Sequence, residues 1–263
     1  MNIFRIVLSF LICLGAMGQV VADDKVLQAD YRPRPPEMVV AEGERISGPL
    51  KEILEEAAGK HGYQVVWRVV PFPRSLHDLE TGEVDIVPRV IQSPERDAFV
   101  SFLGPIGYQD KDIQFLVRKG QEGRIKTYDD LMAMVVGVKL KTAYFEAFDK
   151  DTRIRKETAA DDHNLARMFI GGRFETVALL DRSAMEGVLA GLGFKDYSFA
   201  EYRFRQQIGN FFGMSKKSPH ADLFPALNET LRDMSLKGRV TELYKIHGVE
   251  APLIHAVPSP GGT

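Results

Sequence analysis

The segment Ser93-Pro94-Glu95-Arg96 combines a helix start with a cation. Ser at the N-cap and Pro at the first helical position are typical of a helix N-terminus. Arg96 then falls in the first turn, where the positive end of the helix dipole disfavours a cation. Backbone N–H groups and a guanidinium at one place indicate a carboxylate or phosphate site. The alternative is an Arg side chain that extends along the surface into solvent.

A second cation, Arg89, follows the apolar segment Val84–Val87 after a proline. Placed beside Arg96, it would suit an additional ligand carboxylate, as in glutamate, aspartate or a dicarboxylate without an amino group. It could equally form a salt bridge to Glu37 or Glu95. The sequence leaves both interpretations open.

Two further polar residues lie where predicted elements end or begin. Asp181 follows the apolar strand Thr176–Leu180, at the end where open α/β sheets present ligand contacts. An unpaired buried carboxylate is costly, so Asp181 needs a cationic partner, either on a ligand or from a side chain such as Arg182. Thr142 begins a predicted helix over residues 142–148, where its hydroxyl and the first N–H groups could complete a carboxylate site.

The usual patterns of catalysis and metal binding are missing from the sequence. Its six His residues are scattered without metal-ligand spacing, and no Gly-x-Ser-x-Gly elbow or phosphate loop occurs. We therefore expect no catalytic residue, no metal and no cofactor. The formal net charge of −2 gives no reason to expect nucleic acid or an anionic membrane as partner.

The N-terminal residues 1–22 predict an exported protein. Arg5 is their only charge, an apolar run covers Ile6–Met17, and Val20-Val21-Ala22 supplies small residues at the end. A short apolar core with a cleavable end is typical of a secretory signal peptide rather than a membrane span. Cleavage would remove the single Cys13, so we expect a soluble periplasmic chain without disulfides.

Hydrophobic periodicity predicts alternating helices and short strands. Up to residue 100 it predicts helices at 50–57 and 74–81 and strands at 63–70 and 84–87, an order typical of parallel βαβ units. Beyond that it predicts strands at 112–118, 135–138, 176–180 and 210–215, and helices at 142–148, 162–170, 223–236 and 239–247. Two βα-rich halves joined by strand-like crossings fit this order better than one continuous sheet.

The order of these motifs resembles family 3 solute-binding proteins, the periplasmic receptors of polar amino-acid ABC importers. That family has an aromatic residue, a helix ending L-x-x-G-x-x-D, a strand and then T/S-P-E-R. This chain has Phe72, the run Leu79–Asp85 (LETGEVD) and Ser93–Arg96. The resemblance continues through Val136-Gly137-Val138, Gly171-Gly172-Arg173 and the end segment from FFGMS to KIHG. It therefore spans nearly all of the mature chain.

The resemblance implies an α/β protein with the type II periplasmic-binding-protein fold, two α/β lobes joined by two crossings with a ligand cleft between them. Lobe 1 would comprise residues 23–108 and 218–250, and lobe 2 residues 109–217. The crossings are expected near Gly107–Lys111 and Lys216–Ala221. The Pro/Gly-rich tail at 251–263 is expected to be disordered.

The resemblance also implies roles for single residues. Arg96 would hold the ligand α-carboxylate and Asp181 its α-ammonium group, while Phe72 would stack on the ligand and Tyr31 would supply the opposing face. A buried core ring explains Phe72 equally well. Where the family has Gly-Thr-Thr, this chain has Lys141-Thr142-Ala143.

The function implied by the resemblance is a non-enzymatic, monomeric receptor that captures an amino acid or dicarboxylate by hinge closure. Its partner would be an ABC permease in the inner membrane. A receptor for a membrane sensor or kinase is an alternative, because both would use the closed form. A cleft enzyme such as a dehydratase is another. Specificity would depend on Tyr31, Arg89 and Lys141.

Overall fold

A computed structural model describes residues 25–256, so the predicted signal peptide at 1–22 lies outside the described residues. The helices are α1 Pro49–Gly59, α2 Phe72–Thr81, α3 Pro94–Asp97, α4 Glu146–Lys150, α5 Asp162–Ile170, α6 Arg182–Gly191, α7 Phe224–Leu236 and α8 Arg239–Ile246. The strands are β1 Val26–Tyr31, β2 Val39–Val40, β3 Ile46–Ser47, β4 Gln64–Val69, β5 Ile86–Pro88, β6 Val100–Leu103, β7 Tyr108–Val117, β8 Val135–Lys139, β9 Arg155–Ala159, β10 Thr176–Leu179, β11 Ser198–Gly209 and β12 Phe212–Ser215. Within 25–256, no helix has the length and apolar character to cross a membrane.

Lobe 1 is built on a five-stranded sheet in the order β4-β1-β5-β12-β6. Strand β1 is parallel to both β4 and β5, as βαβ connections require, and β12 is antiparallel to β5 and β6. Helices α1, α7 and α8 bury apolar side chains such as Ile53, Leu231 and Tyr244 in its main core. Helix α2 contributes Leu76 and Leu79 to a second apolar cluster. The carboxyl ends of β1 and β5 therefore project toward the same edge.

Lobe 2 has a second five-stranded sheet in the order β11-β7-β10-β8-β9. Strand β8 is parallel to β9 and β10, whereas β7 is antiparallel to β10 and β11. One apolar cluster contains Phe115 and Phe148, and another contains Leu165 and Phe169 of α5 with Leu189 of α6. Apolar clusters on both sides of the sheet explain why its central strands are continuously hydrophobic.

The structure places the second crossing earlier than the sequence predicted. Strand β12 pairs with β5 and β6, so lobe 1 resumes at Phe212 rather than at Ser218. The crossings are the segments between β6 and β7 and between β11 and β12, not Lys216–Ala221. A short apolar strand has the same sequence pattern whichever sheet it joins. Only the strands that pair with β12 therefore assign β12 to lobe 1.

The tail that we expected to be disordered is ordered where it begins. Leu253 exchanges two backbone hydrogen bonds of 2.7 Å with Tyr108, the first residue of β7. Pro252 lies so close to Gly107 that a Cβ there would come within 2.8 Å of its ring. Residues 251–256 thus run along the first crossing, and 257–263 lie outside the described residues.

Several elements of lobe 2 differ from the sequence prediction. The helix predicted over 142–148 begins only at Glu146, because the Asp149 carboxylate accepts the Tyr144 N–H and holds the preceding segment extended. Strands β9 and β11 and helix α6 were not predicted. Strand β11 lies at the sheet edge and alternates exposed with half-buried residues, so it lacks a strong hydrophobic signal.

The last residue of the L-x-x-G-x-x-D motif, Asp85, joins three parts of lobe 1. One carboxylate oxygen accepts the Gln28 N–H of β1 at 2.7 Å, and the other accepts the Ser218 hydroxyl at 2.5 Å. Its own carbonyl accepts the Ser215 N–H of β12. The side chain is 4% exposed, so the motif Asp stabilises the sheet rather than contacting the cleft.

We expect Asp85→Ala to lower the free energy of unfolding by roughly 2–4 kcal/mol, because two buried donors lose their acceptor. Urea denaturation of the mature protein measures the effect. Asp222→Ala is the matched control, since Asp222 is exposed and makes no described side-chain contact. A loss for Asp85→Ala no larger than for the control would contradict the assignment.

Candidate functional site

A cavity of about 910 Å³ lies between the two lobes. Lobe 1 lines it from α2 and the segment after β5, lobe 2 from the segment after β8, and the second crossing lines its floor. Representative lining residues are His77, Arg96, Thr142, Tyr144, Asp149 and Phe211. Among residues 25–256, no cluster of three or more His, Cys, Asp or Glu is arranged to hold a metal ion.

Arg96 is buried at the lobe interface and does not extend into solvent. The side chain lies in α3 and is 5% exposed. Its Nη1 donates to the Ile91 carbonyl within lobe 1 and its Nη2 donates to the Lys141 carbonyl of lobe 2, both at 2.7 Å. Burial lowers the pKa of Arg96, although nearby Glu95 and Asp149 oppose this effect. The solvent-exposed interpretation of Arg96 is therefore wrong.

The segment after β8 meets Arg96 with backbone rather than with a helix start. Lys141 has a φ of 58°, a left-handed conformation that is unusual for a residue with a Cβ. Its Nζ lies 3.5 Å from Glu95 Oε1 across the cleft. Thr142 lines the cavity, but α4 begins later, so Thr142 does not sit beside free helical N–H groups as the sequence predicted.

Asp181 is the N-cap of α6. Its Oδ1 accepts the Ser183 hydroxyl at 2.8 Å and the Ala184 N–H at 3.2 Å. Burial raises its pKa, but these hydrogen bonds and the charges of Lys111 and Arg34 lower it more, so the net shift is downward. Arg182 pairs with Glu186 and not with Asp181, so the alternative that Arg182 neutralises Asp181 is wrong.

The ring of Phe72, the first residue of α2, faces two guanidinium groups. Arg32 Cζ lies 3.8 Å from the ring centroid and Arg96 Cζ lies 5.6 Å from it. Phe72 is half-buried and also packs against the apolar cluster of α2, so both interpretations of this ring remain open. Sequence reasoning missed Arg32, although it directly follows β1, at a carboxyl end where ligand contacts of α/β sheets are concentrated.

Arg89 forms a buried ion pair with Glu37, which is one of the two roles that the sequence left open for it. Its Nε lies 3.2 Å from Glu37 Oε2, and its Nη2 donates to Gln109 Oε1 at 3.0 Å. Gln109 and the Tyr244 hydroxyl both donate to Glu37 Oε1. Burial raises the pKa of Glu37, but Arg89 and Arg34 lower it more. Since Gln109 lies at the start of β7, this network ties lobe 1 to the first crossing.

Tyr31 lies in the core of lobe 1 and not in the cleft. The side chain is fully buried, its hydroxyl donates to the Ser47 carbonyl at 2.6 Å, and its ring packs edge-to-face on Trp67. The next residue, Arg32, is the one that reaches Phe72. We therefore do not retain Tyr31 among the residues proposed to contact a ligand.

For Tyr31→Phe we expect a free energy of unfolding lower by about 1 kcal/mol, because one buried hydrogen bond is lost. Ligand affinity should stay within twofold of the parent protein. Tyr63→Phe is the control, since no hydrogen bond of the Tyr63 hydroxyl occurs within residues 25–256. A large change in ligand affinity, measured by calorimetry, would return Tyr31 to the site.

Two α/β lobes that enclose a cleft and are joined by two crossings define a binding protein of the type II periplasmic class. The chain belongs to the bacterial extracellular solute-binding proteins, family 3, whose family model matches residues 27–250. The resemblance and the fold predicted from the sequence are thereby confirmed.

Relatives in this family are named as binding proteins. L-cystine-binding protein TcyJ of Escherichia coli strain K12 is 28% identical over 211 residues, covering 80% of this chain and 77% of the relative. The probable amino-acid-binding protein YxeM of Bacillus subtilis strain 168 is 22% identical over 233 residues, covering 84% and 83%. Among solved structures, holo ArgBP from T. maritima has a TM-score of 0.62 at 21% identity, covering 84% of this chain and 96% of that one. An ancestral arginine-binding protein bound to arginine has a TM-score of 0.64 at 19% identity, covering 84% and 97%. At these identities the structures show the fold alone.

Proposed function

We propose that this protein is a non-enzymatic extracytoplasmic receptor that captures a small carboxylate-bearing ligand, an amino acid, for an ABC importer. The observation that carries the proposal is Arg96, a buried lobe 1 guanidinium that donates across the cleft to lobe 2. One relative is named as an L-cystine-binding protein, and one structural neighbour is the substrate binding protein of an amino acid ABC transporter. These names support the ligand class and the partner.

In the proposed complex the ligand carboxylate replaces the Lys141 carbonyl as an acceptor for Arg96. A charged carboxylate is the better acceptor, because it can take two parallel N–H donors from one guanidinium. The Phe72 ring stands beside this position and supplies an apolar contact. Asp181 would receive the α-ammonium group through the oxygen that does not cap α6, and Thr142 would donate its hydroxyl.

The proposed mechanism is closure of the lobes around the ligand. A ligand can shift the equilibrium toward the closed form only through contacts that it makes better there. Arg96 belongs to lobe 1 whereas Thr142 and Asp181 belong to lobe 2, so all three contacts can form together only when the cleft is closed. The closed protein would then be the form that the permease recognises.

A thermal-shift screen of the mature protein against amino acids tests the proposal. A ligand at a hundredfold excess over its dissociation constant should add about 2.7 kcal/mol to the free energy of unfolding and raise the Tm. Small-angle scattering should show a smaller radius of gyration for the bound protein. A strain without this protein should lose high-affinity uptake of the same ligand. The proposal fails if no amino acid or other small carboxylate raises the Tm.

A further inference from the structure

We propose that Arg32 and Arg34 form a second anion-binding subsite beside Arg96, so that the ligand is a small dicarboxylate. Both residues lie in the loop that follows β1, at the carboxyl end of a central strand. The inference rests on the proposed function and deepens it, because it names the charge that the ligand carries beyond one carboxylate. Acidic amino acids are the members of this class that also carry an ammonium group.

Arg32 is held in place without a carboxylate partner. Its two terminal nitrogens donate to the carbonyls of Pro88 and Arg89, and its guanidinium stacks on Phe72. Among residues 25–256 it forms no ion pair. Burial lowers the pKa of Arg32 most, and the neighbouring cations Arg34, Arg89 and Arg96 lower it further. Glu37 opposes them with a smaller effect. A guanidinium stays protonated in proteins, so this charge is present and uncompensated.

The Arg34 side chain has an unsatisfied donor. Its Nε is buried and has no hydrogen-bond partner within the described part of the chain, and its nearest carboxylate oxygen, Glu37 Oε2, is 3.5 Å away. That carboxylate already accepts from Gln109 and Tyr244 and pairs with Arg89. The Arg34 charge also contributes to the lowered pKa of Asp181 in lobe 2. A ligand anion near this guanidinium would supply the opposite charge that Glu37 shares with Arg89.

The acidic residues around the cleft already interact with other basic side chains. Glu37 is the carboxylate that acts on Arg32, Arg34 and Arg89 together. Asp181 has Lys111 as a further cationic neighbour. The acids beside Arg96 are likewise shared, since Glu95 pairs with Lys141 and Asp149 interacts with Lys156. Positive charge is therefore in excess where the loop after β1 meets Phe72.

Buried charge in excess is costly unless an opposite charge is supplied. A zwitterionic amino acid brings no net charge and leaves the excess in place, and a cationic one adds to it. A dicarboxylate brings one carboxylate for Arg96 and another for Arg32 and Arg34. The Arg32 and Arg96 guanidinium groups lie 3.8 and 5.6 Å from the Phe72 ring centroid, close enough for a short ligand with two anionic groups to reach both.

Isosteric pairs of ligands test this inference by calorimetry on the mature protein. L-glutamate with L-glutamine and L-aspartate with L-asparagine differ only in the second carboxylate, and glutarate and succinate lack the amino group. We expect at least one carboxylate ligand to bind about tenfold or more tightly than its amide, the difference of one charge-assisted hydrogen bond. L-arginine should not bind measurably.

Three variants locate the subsite. Arg34→Gln and Arg32→Gln should each bring the carboxylate-to-amide affinity ratio close to one, because each weakens carboxylate binding far more than amide binding. Arg34→Gln is the decisive variant, because Arg34 makes no described hydrogen bond through its side chain and its loss should not unfold the protein. Arg232→Gln, an exposed Arg in α7, is the control and should keep the parental ratio.

The outcomes separate this inference from the proposed function. Tight binding of a zwitterionic or cationic amino acid with no preference for a second carboxylate would overturn the dicarboxylate inference and leave the receptor proposal standing. A preference that survives in both Arg34→Gln and Arg32→Gln would overturn the subsite assignment. If no carboxylate ligand binds, the proposed function and the subsite both fail.

Discussion

Arg96→Gln is expected to bind the ligand at least roughly a hundredfold more weakly than the parent protein. The reason is that a bidentate guanidinium–carboxylate contact contributes about 3 kcal/mol to the binding free energy. Gln keeps a side chain that can donate to one of the carbonyls of Ile91 and Lys141, which Arg96 now contacts. The fold should therefore survive, and the Tm without ligand should change by only a few degrees. Arg96→Lys should be intermediate, since an ammonium retains the charge but lacks the planar pair of donors.

Calorimetric titration of the parent and both variants with the ligand found by the screen measures this effect. Arg232→Gln again serves as the exposed control, with affinity expected to equal that of the parent. An Arg96→Gln protein with unchanged affinity would remove Arg96 from the site. It would also leave the Lys141 contact as a bond that only joins the lobes.

Glu37→Ala should lower the free energy of unfolding by about 3–5 kcal/mol, since removing one partner of a buried pair leaves the other charge uncompensated. Arg89 is 7% exposed, and its Nε contacts Glu37 directly. Gln109 and Tyr244 lose their acceptor in the same step. Glu37→Gln should cost less than Glu37→Ala, because it keeps an oxygen at this position.

The contribution of Glu37 to the free energy of unfolding should fall as the pH becomes acidic. Arg89 and Arg34 hold the folded pKa of Glu37 below its ordinary value of 4.5. Its ionised form therefore stabilises the fold above about pH 4.5, and this contribution is lost as the pH falls through the folded pKa. The difference between the parent and Glu37→Gln should be constant near neutral pH and shrink below pH 4.5.

Urea denaturation at neutral and acidic pH measures both effects. Glu250→Ala is the matched control, since Glu250 is exposed and has no described side-chain partner. A Glu37→Ala protein as stable as the control would show that Arg89 is compensated from elsewhere. It would also weaken the charge argument for Arg32 and Arg34, which depends on Glu37 being fully engaged.

The sequence predicted the elements whose signals are local. Helices α1, α5, α7 and α8 carry apolar stripes at helical spacing, and the buried strands are short apolar runs between turn residues. The helix start at Ser93 and the cation at Arg96 were found for the same reason, because both belong to one turn. The family was also identified from the sequence alone, since its motifs occur in order along the chain.

The site was predicted less completely, because its contacts join residues far apart in the chain. Arg89 could pair with Glu37 or face a ligand, and the choice depends on how the loop after β1 returns to β5. Arg32 carried no motif, and its importance arises only when α2 places Phe72 beneath it. Tyr31 and Arg32 are neighbours, and a shift of one residue in strand register reverses which of them faces the cleft.

What the sequence determined by itself is therefore most of the helices and strands and the two-lobed family fold, and it also singled out Arg96 as the candidate anchor for a carboxylate. Only the tertiary structure decided that β12 belongs to lobe 1, that Arg89 pairs with Glu37, and that Arg32 forms no ion pair among residues 25–256. Periodicity and capping act within a few residues, so they can be read along the chain. The charge balance of a cleft depends on loops from different strands meeting in space, and that is set by packing.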